Sequence, residues 1–222
     1  MSDQINHECG IALIRLLKPL EFYQKKYGTI NYGVNKMYLM MEKQHNRGQD
    51  GAGFASVKLD ASPGEKYVHR RRSAGKQPIQ EIFQEINNEI NNHTSLNIDG
   101  NIPYIGQLML GHVRYGTFGK NNIESVHPFL RQNNWKHRNL IVAGNFNMTN
   151  NQELFDNLVK LGQHPKDKAD GITVMEKIGH FLDDSVSKIY RKLKKEGVNK
   201  IEASAMIEER LNISKILKKA SK

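Results

Sequence analysis

Cysteine is almost missing from this chain: Cys9 is the only one in 222 residues. An internal disulfide framework is therefore excluded, and the chain by itself cannot hold an iron–sulfur cluster. Long apolar runs are missing too. Mean hydropathy is −0.64, and no stretch approaches the roughly 20 apolar residues that a membrane-spanning helix needs. Nor is there a secretory signal, because Met1 to Glu8 carries acidic residues and no apolar stretch. The expectation is a cytoplasmic protein with no membrane association, long enough to bury one substantial core.

Acidic residues are scarce at one end. The formal charge is +10, and between Lys188 and Lys222 eleven Lys and Arg stand against four Glu. Nucleic-acid recognition needs a basic face interleaved with aromatic or groove-reading residues, whereas this segment offers Tyr190 alone. A solvated helical face is the expected reading, and a nucleic-acid partner is not.

What the chain does hold is periodic order. Gly10 to Leu17 is a strand-length apolar run. Met37, Met40, Met41 and Gln44 follow one helical stripe, which is core packing rather than a cofactor box. Gly51 and Gly53 suit a sharp backbone turn before a second strand through Phe54, Val57 and Leu59. Ile82, Phe83, Ile86 and Ile90 mark an amphipathic helix, and the run His69 to Arg72 reads as solvated charge. Leu108 to Val113 and Leu140 to Ala143 read as strands. Thr149 to Gly162 predicts a helix capped by Asn150 or Asn151, with Gly162 past its end. Further helical patterns run from about Ile172 to Leu182 and from Asn199 through Leu211, where Glu202 occupies the capping-box position.

A lone cysteine is ordinarily a small buried apolar residue. Cys9 has another use if the eight residues before it are removed, because it then carries its own base. A free α-amine titrates near pH ~8 and can take the thiol proton directly or through a water. Three further polar motifs follow in order: Arg47-Gly48-Gln49-Asp50-Gly51-Ala52-Gly53, Gly111-His112-Val113-Arg114-Tyr115-Gly116-Thr117, and Gly144-Asn145-Phe146-Asn147. Together with Cys9-Gly10-Ile11 they resemble the class II glutamine amidotransferases. Within that class the pattern resembles the glutaminase domain of the amidophosphoribosyltransferases, from Cys9 to about Asp184.

The resemblance implies an α+β fold of the N-terminal-nucleophile hydrolase type, an α/β/β/α sandwich of antiparallel sheets. It implies a leader over 1–8, a partial glutaminase domain over 9–184 and a basic helical segment over 185–222. The later strands of such a domain, including an Arg-Asp-Pro segment, have no counterpart here, so the domain is expected to be incomplete at its C-terminus and to need a partner chain. Cys9 would attack the side-chain amide of glutamine. Asn145 and the backbone N–H of Phe146 would hold the oxyanion, although the family pattern carries glycine where Phe146 stands. Arg114 would take the substrate carboxylate, with Thr117 adding a hydroxyl, and Asp170 would receive the α-ammonium. The wider motif around Asp170 is otherwise lost, and an N-cap for the helix from Ile172 is an equal reading of that residue. Arg47 would support the site, with Asn46 standing between it and His45 where the family has His-Arg-Gly.

The implied reaction is glutamine hydrolysis with delivery of ammonia to phosphoribosyl pyrophosphate, giving phosphoribosylamine in purine synthesis. The acceptor domain has no signature in this chain. Leu182-Asp183-Asp184-Ser185 imitates a phosphoribosyl-binding motif, but its helical surroundings and the missing Gly/Thr loop reject it. No metal or cofactor is expected here, Mg2+ entering only with a phosphoribosyltransferase domain. The expected partners are glutamine and that domain or a homologous chain, with a homo-oligomer for the complete enzyme. Three alternatives remain: an inactive fragment binding a full-length paralogue, another class II amidotransferase, and a basic nucleic-acid-binding module.

Overall fold

The computed structural model describes residues 8–95, 102–116 and 122–221, so the segment Met1–His7 and Thr117 lie outside the described residues. The chain divides into two compact units, one of residues 1–128 with 143–145, the other of 129–142 with 146–222.

The first unit is built on a four-stranded antiparallel sheet. Its elements in chain order are β1 (Gly10–Arg15), α1 (Leu20–Tyr27), α2 (Tyr32–Lys43), β2 (Gly51–Val57), β3 (Val68–Ser73), α3 (Pro78–Ser95) and β4 (Leu108–Arg114). The strand order is β1-β4-β2-β3, which puts β4 and β2 at the centre. Side chains alternate across β4: Met109 and Val113 join Met37, Met41, Phe54 and Ala52 in the core under α2 and α3. Helix α3 lies on that core because Ile79, Ile82, Phe83, Ile86 and Ile90 recur on one stripe and are all buried. Of the methionine stripe on α2, Met37 and Met41 are buried while Met40 is exposed, since the core-facing arc also takes Gly33 and Val34. On β1, at the sheet edge, Ile11 and Leu13 are exposed.

Two sequence expectations change here. Gly51 and Gly53 are strand residues of β2, and neither has a positive φ. Their use is room rather than turning. A Cβ on Gly53 would collide with the His127 carbonyl oxygen, and one on Gly51 would lie 2.9 Å from Val126 Cγ2. The segment Val126–Pro128 thus packs directly on the β2 backbone. The His69–Arg72 run is also no solvated stretch: it lies in β3, opposite Gly53 to Ser56. Arg72 donates to the Val126 carbonyl at 2.9 Å and Arg70 to the Pro128 carbonyl at 3.3 Å, while Arg71 pairs with Glu85 and Glu89 on α3.

The second unit contains the hairpin β5 (Phe129–Arg131) and β6 (Leu140–Val142), then α4 (Asn151–Lys160), α5 (Asp170–Lys195), α6 (Lys200–Arg210) and α7 (Ile213–Ala220). Its core joins Leu182, Val186 and Leu193 of α5 to Ala203, Ile207 and Ile216. Asn199 caps α6, accepting from the N–H groups of Ile201 and Glu202, each at 3.0 Å. Gly162, with φ +80, closes α4. Helix α5 is far longer than the Ile172–Leu182 pattern and runs unbroken through the expected 184/185 boundary. Asp183 and Asp184 are helical residues. Asp183 meets Arg131 at 2.6 Å and Arg138 at 3.4 Å, and Asp184 meets Lys188 at 2.7 Å, so the imitation of a phosphoribosyl motif is rejected by the structure as well. Gly179 gives Arg131 its seat, because a Cβ there would lie 2.6 Å from Arg131 Nε.

The Gly53 contact makes a direct prediction. Replacing Gly53 with Ala forces β2 and the His127 carbonyl apart, an overpacking expected to cost about 2–3 kcal/mol. Thermal and chemical denaturation should show it as a lowered midpoint.

Candidate active site at the end of the central strands

Antiparallel register decides what meets at this end of the sheet. Gly10 stands opposite Val113, and Gly51 stands opposite Arg114. Cys9 therefore enters β1 beside the last residues of β4, and its Sγ lies 3.9 Å from the Tyr115 carbonyl oxygen. Arg114, fourth in its motif, is 6% exposed. The loop after η1 (His45–Arg47) holds it. Asp50 N–H donates to the Arg114 carbonyl at 3.0 Å, and the Asp50 carboxylate accepts from Gly116 N–H at 2.7 Å. Gly48 must be glycine, because a Cβ there would lie 2.5 to 2.9 Å from the Arg114 backbone. Gly116 is close but less constrained: its Cβ would sit 3.1 Å from Arg114 Nη1 and 3.3 Å from Asp50 Oδ2, both side-chain atoms. The Arg-Gly-Gln-Asp motif is thus a backbone clamp on the strand end that carries Arg114.

Arg47 itself points outward, with its Nη2 3.5 Å from the carboxylate of Glu8, the residue before Cys9. Both side chains are more than half exposed. Asn145 also belongs to this unit and is exposed. Gly144, just before it, lies against His112, two positions before Arg114 on β4.

Beneath Arg114 lies a feature that the sequence did not reveal. His112 is fully buried, and its ring centroid is 4.6 Å from that of His127. Burial lowers His112 to about 4, opposed by the Gly144 backbone and reinforced by Arg114. Burial, His112, Arg114 and Arg72 together lower His127 to about 3. Both imidazoles are therefore neutral at pH 7. The available signal was a buried-strand position for His112 and a histidine immediately before Pro128, but which groups would pair across 15 residues of chain was not readable.

Phe146 and Asp170 belong to the second unit. Phe146 is half-buried. Asp170 is the first residue of α5, and its carboxylate accepts from Met148 N–H at 2.7 Å. It is not the N-cap: Ala169 holds that place, with no side-chain cap, because the helix starts two residues earlier than Ile172. Thr117 is outside the described residues. Among the described residues no three His, Cys, Asp or Glu side chains converge in a way that would hold a metal ion. None of the described helices is long and apolar enough to cross a membrane.

An antiparallel α+β fold with a strand-end thiol beside a buried arginine defines the structural class. The sequence comparisons are narrower. The chain is similar to amidophosphoribosyltransferases: 31% identical over 197 residues to that of Bacillus subtilis, covering 86% of this chain and 33% of the relative. It is 27% identical over 146 residues to that of Lacticaseibacillus casei, covering 66% of this chain and 57% of the relative. It is 29% identical over 160 residues to amidophosphoribosyltransferase 3, chloroplastic, of Arabidopsis thaliana, covering 72% and 23%. The chain thus spans from about a quarter to just over half the length of these relatives. A solved structure of the allosteric regulatory enzyme of purine biosynthesis aligns with TM-score 0.47 and 24% identity, over 77% of this chain and 29% of that one. No protein-family model matches.

The histidine pair predicts acid sensitivity. Each folded-state value lies below the ordinary 6.5, so the unfolded chain binds protons that the native state refuses. Stability is full above pH 6.5 and falls as pH drops toward about 4. Each imidazole should cost about 2 kcal/mol between pH 7 and 4.5. Urea denaturation at a series of pH values should show this loss, and His127→Gln should make it shallower.

Proposed function

We infer that the chain is a glutaminase unit of the amidophosphoribosyltransferase type, which releases ammonia from glutamine at Cys9. The observation that carries the reading is the meeting of Cys9, Arg114 and the Arg47–Asp50 clamp at one strand end, in a chain similar to that enzyme over 197 residues. The antiparallel sheet that begins at the nucleophile supports an N-terminal-nucleophile hydrolase fold. The ammonia goes to phosphoribosyl pyrophosphate on a phosphoribosyltransferase unit, with Mg2+ accompanying that substrate there. The product is phosphoribosylamine for purine synthesis in the cytoplasm, and the complete enzyme is a homo-oligomer.

Chemistry begins with removal of residues 1–8, which frees the Cys9 α-amine and releases Arg47 from Glu8. The amine takes the thiol proton, and sulfur attacks the amide carbon of glutamine. The Asn145 amide and the Phe146 N–H stabilise the oxyanion, each donor worth about 3 kcal/mol in the transition state. The Cys9 α-ammonium returns its proton to the amide nitrogen, which leaves as ammonia as the intermediate collapses to a glutamyl thioester. Water, deprotonated by the amine, then releases glutamate and restores the thiol. Arg114 takes the substrate carboxylate as a planar bidentate partner, with Thr117 beside it. The second carboxylate oxygen of Asp170 takes the α-ammonium.

An electrophilic glutamine analogue tests this by intact mass. The expected result is a chain beginning at Cys9 that gains one adduct, with protection by glutamine and none formed in Cys9→Ala. A processed, folded chain that stays unlabelled would overturn the reading. Arg114→Lys should lower the labelling rate about 10- to 100-fold, chiefly through weaker analogue binding, since one ammonium replaces a two-point contact.

A further inference from the structure

Helix α1 has no fully buried residue, and Leu20 at its start packs against the core from a half-buried position. Together with the start of α2 the helix carries a surface of rings. Tyr27 and Tyr32 stack at 4.2 Å with an 18° interplanar angle, and Tyr23 lies 5.2 Å from Tyr32 at 24°. Phe22 meets Tyr23 edge-on at 5.3 Å. The Tyr27 hydroxyl hydrogen-bonds Tyr32 and raises its pKa above the ordinary value. Phe22 and Tyr27 are 42% and 46% exposed. Such large rings are costly to leave in water unless something covers them.

Cations surround these rings. Lys26 Nζ lies 5.6 Å from the Phe22 ring centre and 5.4 Å from that of Tyr27, and Lys36 Nζ lies 5.7 Å from Tyr32. Lys18 and Lys25 flank the same stretch, where Glu21 is the only acid between residues 18 and 36. The expectation of no nucleic-acid partner rested on the lack of aromatics in the C-terminal basic segment. The α1 surface combines the two groups that the segment keeps apart.

We propose that the surface of α1 and the start of α2, with Phe22, Tyr23, Tyr27 and Tyr32 among Lys18, Lys25, Lys26 and Lys36, docks single-stranded nucleic acid. Bases stack on the exposed Phe22 and Tyr27 rings in place of the Lys26 ammonium that lies over them, and that group turns to the phosphates with the neighbouring lysines. Every base has a π-face, so the surface is tolerant of sequence. Ring-to-base and lysine-to-phosphate contacts are common to DNA and RNA, so single strands of either are expected ligands, and a duplex, with its bases stacked inside, is a poor one.

Fluorescence polarisation of labelled oligo(dT) and oligo(U), titrated with the full chain at several salt concentrations, tests this. Both probes should bind at low salt, more tightly than a duplex of equal length. Phe22→Ser with Tyr27→Ser should weaken binding about tenfold or more. Lys25→Gln with Lys26→Gln should weaken it and make the salt dependence shallower by about 0.7 for each phosphate that is no longer neutralised. Circular dichroism melting identifies any variant that fails to fold, and the lysine pair, exposed on a helix with no fully buried residue, remains decisive. Three results would overturn the proposal: no binding at low salt, binding unchanged by both α1 variants but abolished when Lys215, Lys218 and Lys219 are neutralised, or retention on anionic vesicles without binding of either oligonucleotide.

Discussion

The first unit depends on close backbone contact at the end of β2 and β4. Gly51 and Gly53 remove side chains from one face of β2, and the Val126–Pro128 segment occupies the space. Arg70 and Arg72 tie down its carbonyls from β3. The contact roofs over His112, which is why that ring is wholly buried and neutral. Arg114, on the same face two residues later, is held with it. Below the strand, Met109 and Val113 reach the α2 and α3 core, so any displacement of the roof would be felt by both faces of β4.

The arginines show why net charge is a poor guide to function here. Arg70, Arg71 and Arg72 are contiguous in sequence, yet alternation along β3 sends them to different partners: loop carbonyls on one side, α3 glutamates on the other. In the second unit Arg131 and Arg138 converge on Asp183, joining the β5–β6 hairpin to α5. A planar guanidinium satisfies several acceptors at once, which makes it suited to such joints. Five of the arginines are therefore internal bracing, whereas the lysines of α1, α6 and α7 remain at the surface.

Legibility in the sequence followed the range of the interaction. The buried stripe of α3, the strand leading to Arg114 and the Asn199 cap were readable, since each rests on local periodicity or on partners within a few residues. β3 escaped, because its charged side chains resemble a solvated run until their partners 54 to 58 residues away are in place. Helix α5 was cut short for a related reason: its later turns carry lysines outward and bury only Val186 and Leu193, a pattern too sparse to signal a buried stripe.

At the candidate site the sequence by itself determined the chemical groups: one thiol, an arginine two residues beyond a histidine, a glycine-rich loop and an asparagine after a strand. Side-chain chemistry and local order are properties of the chain, so they needed no fold to be read. The tertiary structure alone decided that Cys9 stands beside the end of β4, that Gly51 and Gly53 make room rather than turns, and that His112 meets His127. Those outcomes depend on antiparallel register and backbone approach between distant segments, which only the packed sheet specifies.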